Sequence, residues 1–219
     1  MDQGDFDIVI RAYTPGDRAA LRALCFETSF LEQSKLFVDS AEITADVLSL
    51  YFTDFEGESS FVACAQGQLV GYVIGTKNVR RMNRIFFSRV FFPILGKSIA
   101  TGVFFQLKNL RFVFHCGVSL VKGEFLPKPI DQKYSALLHI NVREDFRGQG
   151  VGRRLLAQFM EYLETEKVFG VHVSAFEERS KDFFFRQGFT ILYSSTKTFL
   201  RYRLGRDVTQ YILGKILTG

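Results

Sequence analysis

The chain is short of the residues that build disulfide frameworks and metal centres. Its 219 residues contain three cysteines, Cys25, Cys64 and Cys116. They are odd in number and widely spaced, which excludes a disulfide scaffold and a zinc site. Buried free thiols in a reducing cytosol fit better, so a cytoplasmic protein without a metal is expected. Long apolar runs are missing too. The nearest, 99–121, is broken by Lys108, Asn109, Arg111 and His115, and falls short of the ~18 uncharged residues of a membrane span. The first residues, Met-Asp-Gln-Gly-Asp, are acidic and polar, which is unlike a signal peptide. No internal repeat or low-complexity tract is present.

Apolar residues are plentiful at 47%, enough for a substantial core in one domain spanning 1–219. Charge is unevenly placed. Segment 78–131 carries nine basic residues: Arg80, Arg81, Arg84, Arg89, Lys97, Lys108, Arg111, Lys122 and Lys128. Only Glu124 and Asp131 oppose them, so this stretch is +7 in a chain of +5, and the remainder is −2.

The most informative stretch follows the apolar run 136–142. It reads Arg147-Gly148-Gln149-Gly150-Val151-Gly152-Arg153, and a helical pattern starts within it. Alternating glycines allow left-handed backbone and close approach to a ligand. The free N–H groups and positive dipole end of the helix suit a phosphate. The loop lacks the Gly-Lys-Ser/Thr ending of a nucleotide P-loop, and position 153 lacks the glycine of a dinucleotide fingerprint.

What the loop does match is Arg/Gln-x-x-Gly-x-Gly/Ala. On this motif and its flanking strand and helix, the chain resembles the GNAT superfamily of N-acetyltransferases. Outside segment 78–131 the resemblance covers the whole chain. It implies an α/β (α+β) fold with a central, mixed, mostly antiparallel sheet splayed at the cofactor strand and helices on both faces. It also implies an acetyl-CoA cosubstrate and an amine acceptor, most simply a small molecule, with a protein lysine or N-terminus as the other acceptor class. The implied cofactor-binding residues are the backbone of Ile140 and Val142, then Arg147, Gly148, Gln149, Gly150, Val151, Gly152 and Arg153, with Arg154 also able to reach phosphates. A narrower likeness, carried by Leu138-His139-Ile140-Asn141 and Gly170-Val171-His172-Val173, is to the acetyltransferase-like domains of O-GlcNAc hydrolases and their freestanding bacterial relatives. Those relatives commonly carry Asp where this chain has Asn141.

The other elements fall into that order. Ile8, Ile10 and Ala12 suggest a strand. Thr14-Pro15-Gly16-Asp17 starts a helix faced by Leu21, Leu24 and Cys25. Asp39-Ser40 starts a second helix with Ile43, Val47, Leu50 and Tyr51 on its apolar stripe. In the resembled family the intervening loop, 28–38, borders the acceptor site. A hairpin is expected over 61–75, turning at Gln66-Gly67-Gln68. Segment 78–131 then reads as a basic, Phe-rich helical insertion, because about 55 residues without structure would be unusual. One helix is expected to end at Pro93 and a second to run through Val103, Leu107, Leu110 and Phe114. Three readings stay open: a cap packed on the domain or on a second subunit as a homodimer contact, a lid for an anionic ligand, and a pair of helices on an anionic membrane surface. No nucleic-acid module motif accompanies the charge.

After the cofactor strand, a helix from Gly152 packs Val151, Leu155, Phe159 and Leu163 inward. A strand at 170–175 and a helix at 177–187 follow. Counting back from Gly188, the family's tyrosine position holds Phe184, its asparagine position Glu178 and its small residue Ser180. Two strands, 190–193 and 198–203, and a C-terminal helix capped by Asp207 are expected last.

Acyl transfer to an amine needs the thioester held, its carbonyl polarised and the amine deprotonated. A backbone N–H near Val142 would serve the second need. For the third, His139 and His172 are candidates, with Glu177 as another; Asn141 shares the His139 face but cannot act as a base. Tyr134 or Tyr193 would have to replace the missing tyrosine acid. Without a base or acid, the competing reading is a coenzyme A-binding or partner-binding module that does no chemistry.

Overall fold

A computed structural model of the chain describes residues 7–28, 41–125 and 130–217. Seven strands form one sheet: β1 (Ile8–Ala12), β2 (Ser60–Ala65), β3 (Gln68–Thr76), β4 (Ala136–Val142), β5 (Gly170–Ala175), β6 (Thr190–Lys197) and β7 (Val208–Ile216). Their order is β1-β2-β3-β4-β5-β7-β6. Every neighbouring pair is antiparallel except β4 and β5. The β2–β3 hairpin turns at Gln66 and Gly67, both with positive φ (51° and 77°), the handedness that matches strand twist in a two-residue loop.

Alternation along the strands feeds two cores. On one face, α6 (Val151–Thr165) buries Leu155, Phe159 and Leu163 against Phe61, Ala63, Val73 and Leu138. Each such side chain contributes about 1.5–3 kcal/mol of apolar burial. The helix lies so close that a Cβ on Gly75 would sit 2.3 Å from the Phe159 ring. On the other face, α1 (Arg18–Glu27) packs Leu21, Leu24 and Cys25 on Val62, Tyr72 and Ile74. Helix α2 (Ala41–Asp54) lies beside α1, where it buries Ile43 and Tyr51 as expected but leaves Val47 exposed.

Glu56 ties this face together. It is completely buried, and its carboxylate accepts from the Tyr51 hydroxyl (2.5 Å), the Thr76 hydroxyl (2.7 Å) and the Lys77 N–H (3.0 Å). The chain leaves the sheet at this point.

Residues 79–121 are mostly helical, in α3 (Val79–Ile85), a wide turn over Phe86–Phe91, α4 (Phe92–Ala100) and α5 (Leu107–Val121), with a single 3-10 turn at Val103–Phe105 between the last two. The helical path does not end at Pro93. The six residues before α4 open into a π-type turn, which leaves room for a ring that would clash in regular helix. Val90 and Ile94 pack on Ile43, and Lys97 pairs with Glu42. Further on, His115 stacks on Tyr202 at 4.2 Å, and the Glu124 carboxylate accepts from the Thr198 N–H and hydroxyl.

The C-terminal expectation is corrected. Helix α7 (Glu178–Arg186) precedes β6; residues 194–197 continue β6, 201–204 form a short helix α8 (Arg201–Leu204), and 208–216 form strand β7 rather than a helix. Val208, Tyr211, Ile212 and Ile216 satisfy helical spacing, but the segment Val-Thr-Gln-Tyr-Ile-Leu is rich in strand formers. Between β5 and β6 its backbone is paired on both sides. Asp207 pairs with Arg201 and caps no helix.

Candidate active site

The sheet opens between β4 and β5. Only Ala136 with Val171 and Leu137 with His172 are in register; beyond them the strands part. The far edge of β4 is held by β3 through Val142, where Gly71 lies opposite. Arg143 N–H donates to Val70 O (2.8 Å), so alternation turns the amides of Ile140 and Val142 the other way, into the gap. A cavity of about 480 Å³ fills that gap. Ile140, Val142 and Val173–Ala175 form its walls, and Gly148, Gly150, Gly152 and Arg153 its mouth.

The mouth is built as the sequence suggests. Gly148 and Gly150 have φ of +84° and +80°, and a Cβ at either would meet nothing within 4 Å. Gly150 caps α6, whose first N–H groups face the same opening. Arg147 donates from Nε to Val142 O (2.9 Å), which fixes the loop to the end of β4. Arg153, Arg179 and Arg186 also border the cavity, against one acid, Glu177. An open left-handed loop, a helix N-terminus and arginines together fit the pyrophosphate of coenzyme A. The parted strands fit its pantetheine arm as an added strand.

At the β4 side of the cavity sits a cluster that the sequence did not reveal. Tyr72 on β3 lies opposite Asn141 and is fully buried. Asn141 Nδ2 donates to its hydroxyl oxygen (3.0 Å), and that hydroxyl is 3.0 Å from His139 Nε2. Asn141 Nδ2 is also 3.2 Å from His139 Nε2. The Tyr72 hydroxyl is also within hydrogen-bonding reach of the Cys25 and Thr28 side chains. Burial pushes the His139 pKa down to about 4, so the ring is neutral near pH 7. Burial likewise raises Tyr72 well above its usual range.

Several expected residues lie elsewhere. His172 does not line the cavity; it is buried, with Nδ1 bonded to Tyr134 O (2.9 Å), and burial lowers its pKa. Tyr134 and Tyr193 are not on the cavity wall either. Arg154 points away, donating to Ile8 O (2.7 Å), and the Gln149 side chain donates to Asp145 O (3.0 Å). Phe184 does line the cavity, buried against Phe183 and Phe189, and brings no hydroxyl there. Glu178 is taken up by Lys181 and the Tyr211 hydroxyl (2.5 Å). Thr28, from the loop expected to border the acceptor site, joins the wall, as do Ser174, Ser180 and Phe183, which the sequence did not single out as cavity residues. Of the loop 28–38, only Thr28 lies within the described residues; Asp39 and Ser40 lie outside them as well.

Comparison with known proteins agrees with this geometry. The model of the acetyltransferase (GNAT) family matches residues 28–189. No curated protein sequence matches. Among solved structures, SsHAT is similar at 20% identity and TM-score 0.68, covering 97% of this chain and 99% of that one. The polyamine N-acetyltransferase of Drosophila melanogaster, which forms N-acetylagmatine, is similar at 15% identity and TM-score 0.63, covering 96% and 100%. The yncA protein of Salmonella typhimurium, solved with its cofactor acetyl-CoA, is similar at 13% identity and TM-score 0.56, covering 96% and 94%. Among the described residues no group of side chains could hold a metal ion. With the family model spanning most of its length, the chain belongs to the acetyltransferase (GNAT) family and is an acyltransferase.

Proposed function

We propose that this protein transfers an acetyl group from acetyl-CoA to the amine of a small molecule by direct attack while both substrates are bound. The parting of β4 from β5 beside a left-handed glycine loop is the observation that carries the reading. The thioester supplies an activated acetyl group. Ile140 and Val142 hold the pantetheine arm through backbone amides. Arg147, the backbone of 148–152 and Arg153 hold the phosphates. Phe184 packs against the arm as an apolar wall.

Acceptance of the proton falls to His139. An imidazole with a pKa of about 4 is too weak a base to strip a free ammonium ion. It can take the proton once the amine nitrogen has bonded to the carbonyl carbon, because that bond makes the nitrogen far more acidic. The acid limb of the rate then reports ionisation of the amine itself. Asn141 and Tyr72 orient the ring. No acid is required at Phe184, since a leaving thiolate with a pKa near 8.5 needs little help. The acceptor of the fly enzyme supports a small amine here. A cytoplasmic location belongs to the same reading, with segment 78–131 as an insertion in a single domain.

Calorimetric titration of acetyl-CoA into wild type and Gly150→Glu tests it. A glutamate there is strained and places a carboxylate where the phosphates go, so affinity falls at least about 100-fold. A folded wild type that binds no acetyl-CoA overturns the proposal. A wild type that binds but releases no thiol with any amine is a binding module instead.

A further inference from the structure

Helix α5 packs Phe112 on Leu200 and Val208 but turns most of its other large apolar side chains outward. Its buried residues are Asn109 and Ser119, which donate to Val103 O (2.7 Å) and meet the Thr198 hydroxyl (3.4 Å), respectively. Its outward residues are apolar: Leu107 is 73% exposed, Phe114 67% and Val121 91%, with Leu110, Val113 and Leu120 between them. At 100° per residue these six span an arc of about 140°, on a helix about 22 Å long. Exposed Arg111 and Lys122 border that arc on one side.

The rest of the segment carries further exposed rings. Phe105 precedes α5 and is 61% exposed; Phe87, Phe91 and Phe92 form a run of touching, exposed rings. Arg80, Arg81, Arg84 and Arg89 are exposed on the same stretch of chain. An apolar face this large on a protein surface marks an interaction site. What covers it must also tolerate the +7 charge of the segment. A second copy of the same face would bring like charges together. No helix among the described residues is long and apolar enough to cross a membrane, but an in-plane helix needs only one apolar face with basic residues beside it.

We propose that α5 and the flanking phenylalanines insert into the headgroup region of an anionic lipid bilayer, with the arginines of 80–89 and 111 on the acidic headgroups. The attraction combines apolar insertion with charge, so both must matter.

The test is co-sedimentation of the full chain with vesicles of phosphatidylcholine alone and with about one-third phosphatidylserine. Wild type is expected to pellet with the acidic vesicles and to be released by high salt. A Leu107→Glu/Phe114→Glu/Val121→Glu variant is expected to partition at least about tenfold less, with an unchanged circular dichroism spectrum and melting curve. An Arg80→Ala/Arg81→Ala/Arg84→Ala variant, mild enough to fold if the triple glutamate does not, should weaken binding to acidic vesicles only. Wild type left in the supernatant with both vesicle types overturns the proposal. So does a folded triple variant that pellets like wild type. A wild-type dimer that ignores vesicles, and that the triple variant turns into monomer in light scattering, assigns the face to a second copy. None of these readouts depends on acetyl-CoA.

Discussion

Lowering the pH should remove stability from this protein through His139, and the size of the loss follows from its surroundings. The ring titrates near 6.5 when unfolded and about 4 when folded. Between these values the unfolded chain binds the proton and the native one does not, so acid favours unfolding. The contribution is fully present above pH 6.5 and is lost as pH falls towards 4. From pH 7 to pH 5 the loss is about 2 kcal/mol, approaching about 3 kcal/mol at pH 4. That is a large part of a typical folding stability of 5–15 kcal/mol. His172 is also buried and shifts in the same direction, so wild type alone does not isolate the effect. His139→Gln does, because it keeps a polar group beside Tyr72 and Asn141 and removes the titration. Urea unfolding of both proteins, followed by circular dichroism from pH 7 to pH 5, should show a difference between them that shrinks by about 2 kcal/mol. Parallel stability-versus-pH curves would refute the argument and mean that the ring is hydrated in solution.

Other substitutions probe different parts of the design. Glu56→Ala strands three buried donors and should cost about 3–6 kcal/mol in urea unfolding, whereas Glu56→Gln keeps one acceptor oxygen beside two hydroxyls that can turn, and should cost about 1–2 kcal/mol. Gly75→Ala drives a methyl into Phe159 and the Leu137 carbonyl, so the melting temperature should drop steeply or the chain should fail to express in soluble form. Arg147→Ala frees the Val142 carbonyl and removes a cation from the cavity mouth; its effect should be a KM for acetyl-CoA raised about tenfold or more, while far-ultraviolet circular dichroism stays unchanged.

The parts of this molecule that are legible in the sequence are those whose cause is local. The glycine loop, the Gln66-Gly67 turn and the α6 stripe each follow from neighbouring residues, and all three fold as their spacing suggests. The parts that are not legible depend on partners far along the chain. Val208–Ile216 is a strand because β5 and β6 flank it, and nothing within the segment names those neighbours. Tyr72 meets His139 only through the register of β3 on β4, across 67 residues. His139 and His172 look alike in sequence, yet one borders the cavity and the other bonds a carbonyl beneath it. The outward face of α5 is periodic like any core helix; its direction is set by where Asn109 and Ser119 find partners.

The gap between β4 and β5 also bears on turnover. A sheet missing part of one seam offers main-chain amides to whatever completes it, and in the proposed reading that is the pantetheine arm. Spent coenzyme A carries the same arm, so it is held as firmly as the charged form. Such an enzyme is slowed by its own exhausted donor, and its pace responds to the ratio of acetylated to free coenzyme rather than to the donor concentration alone.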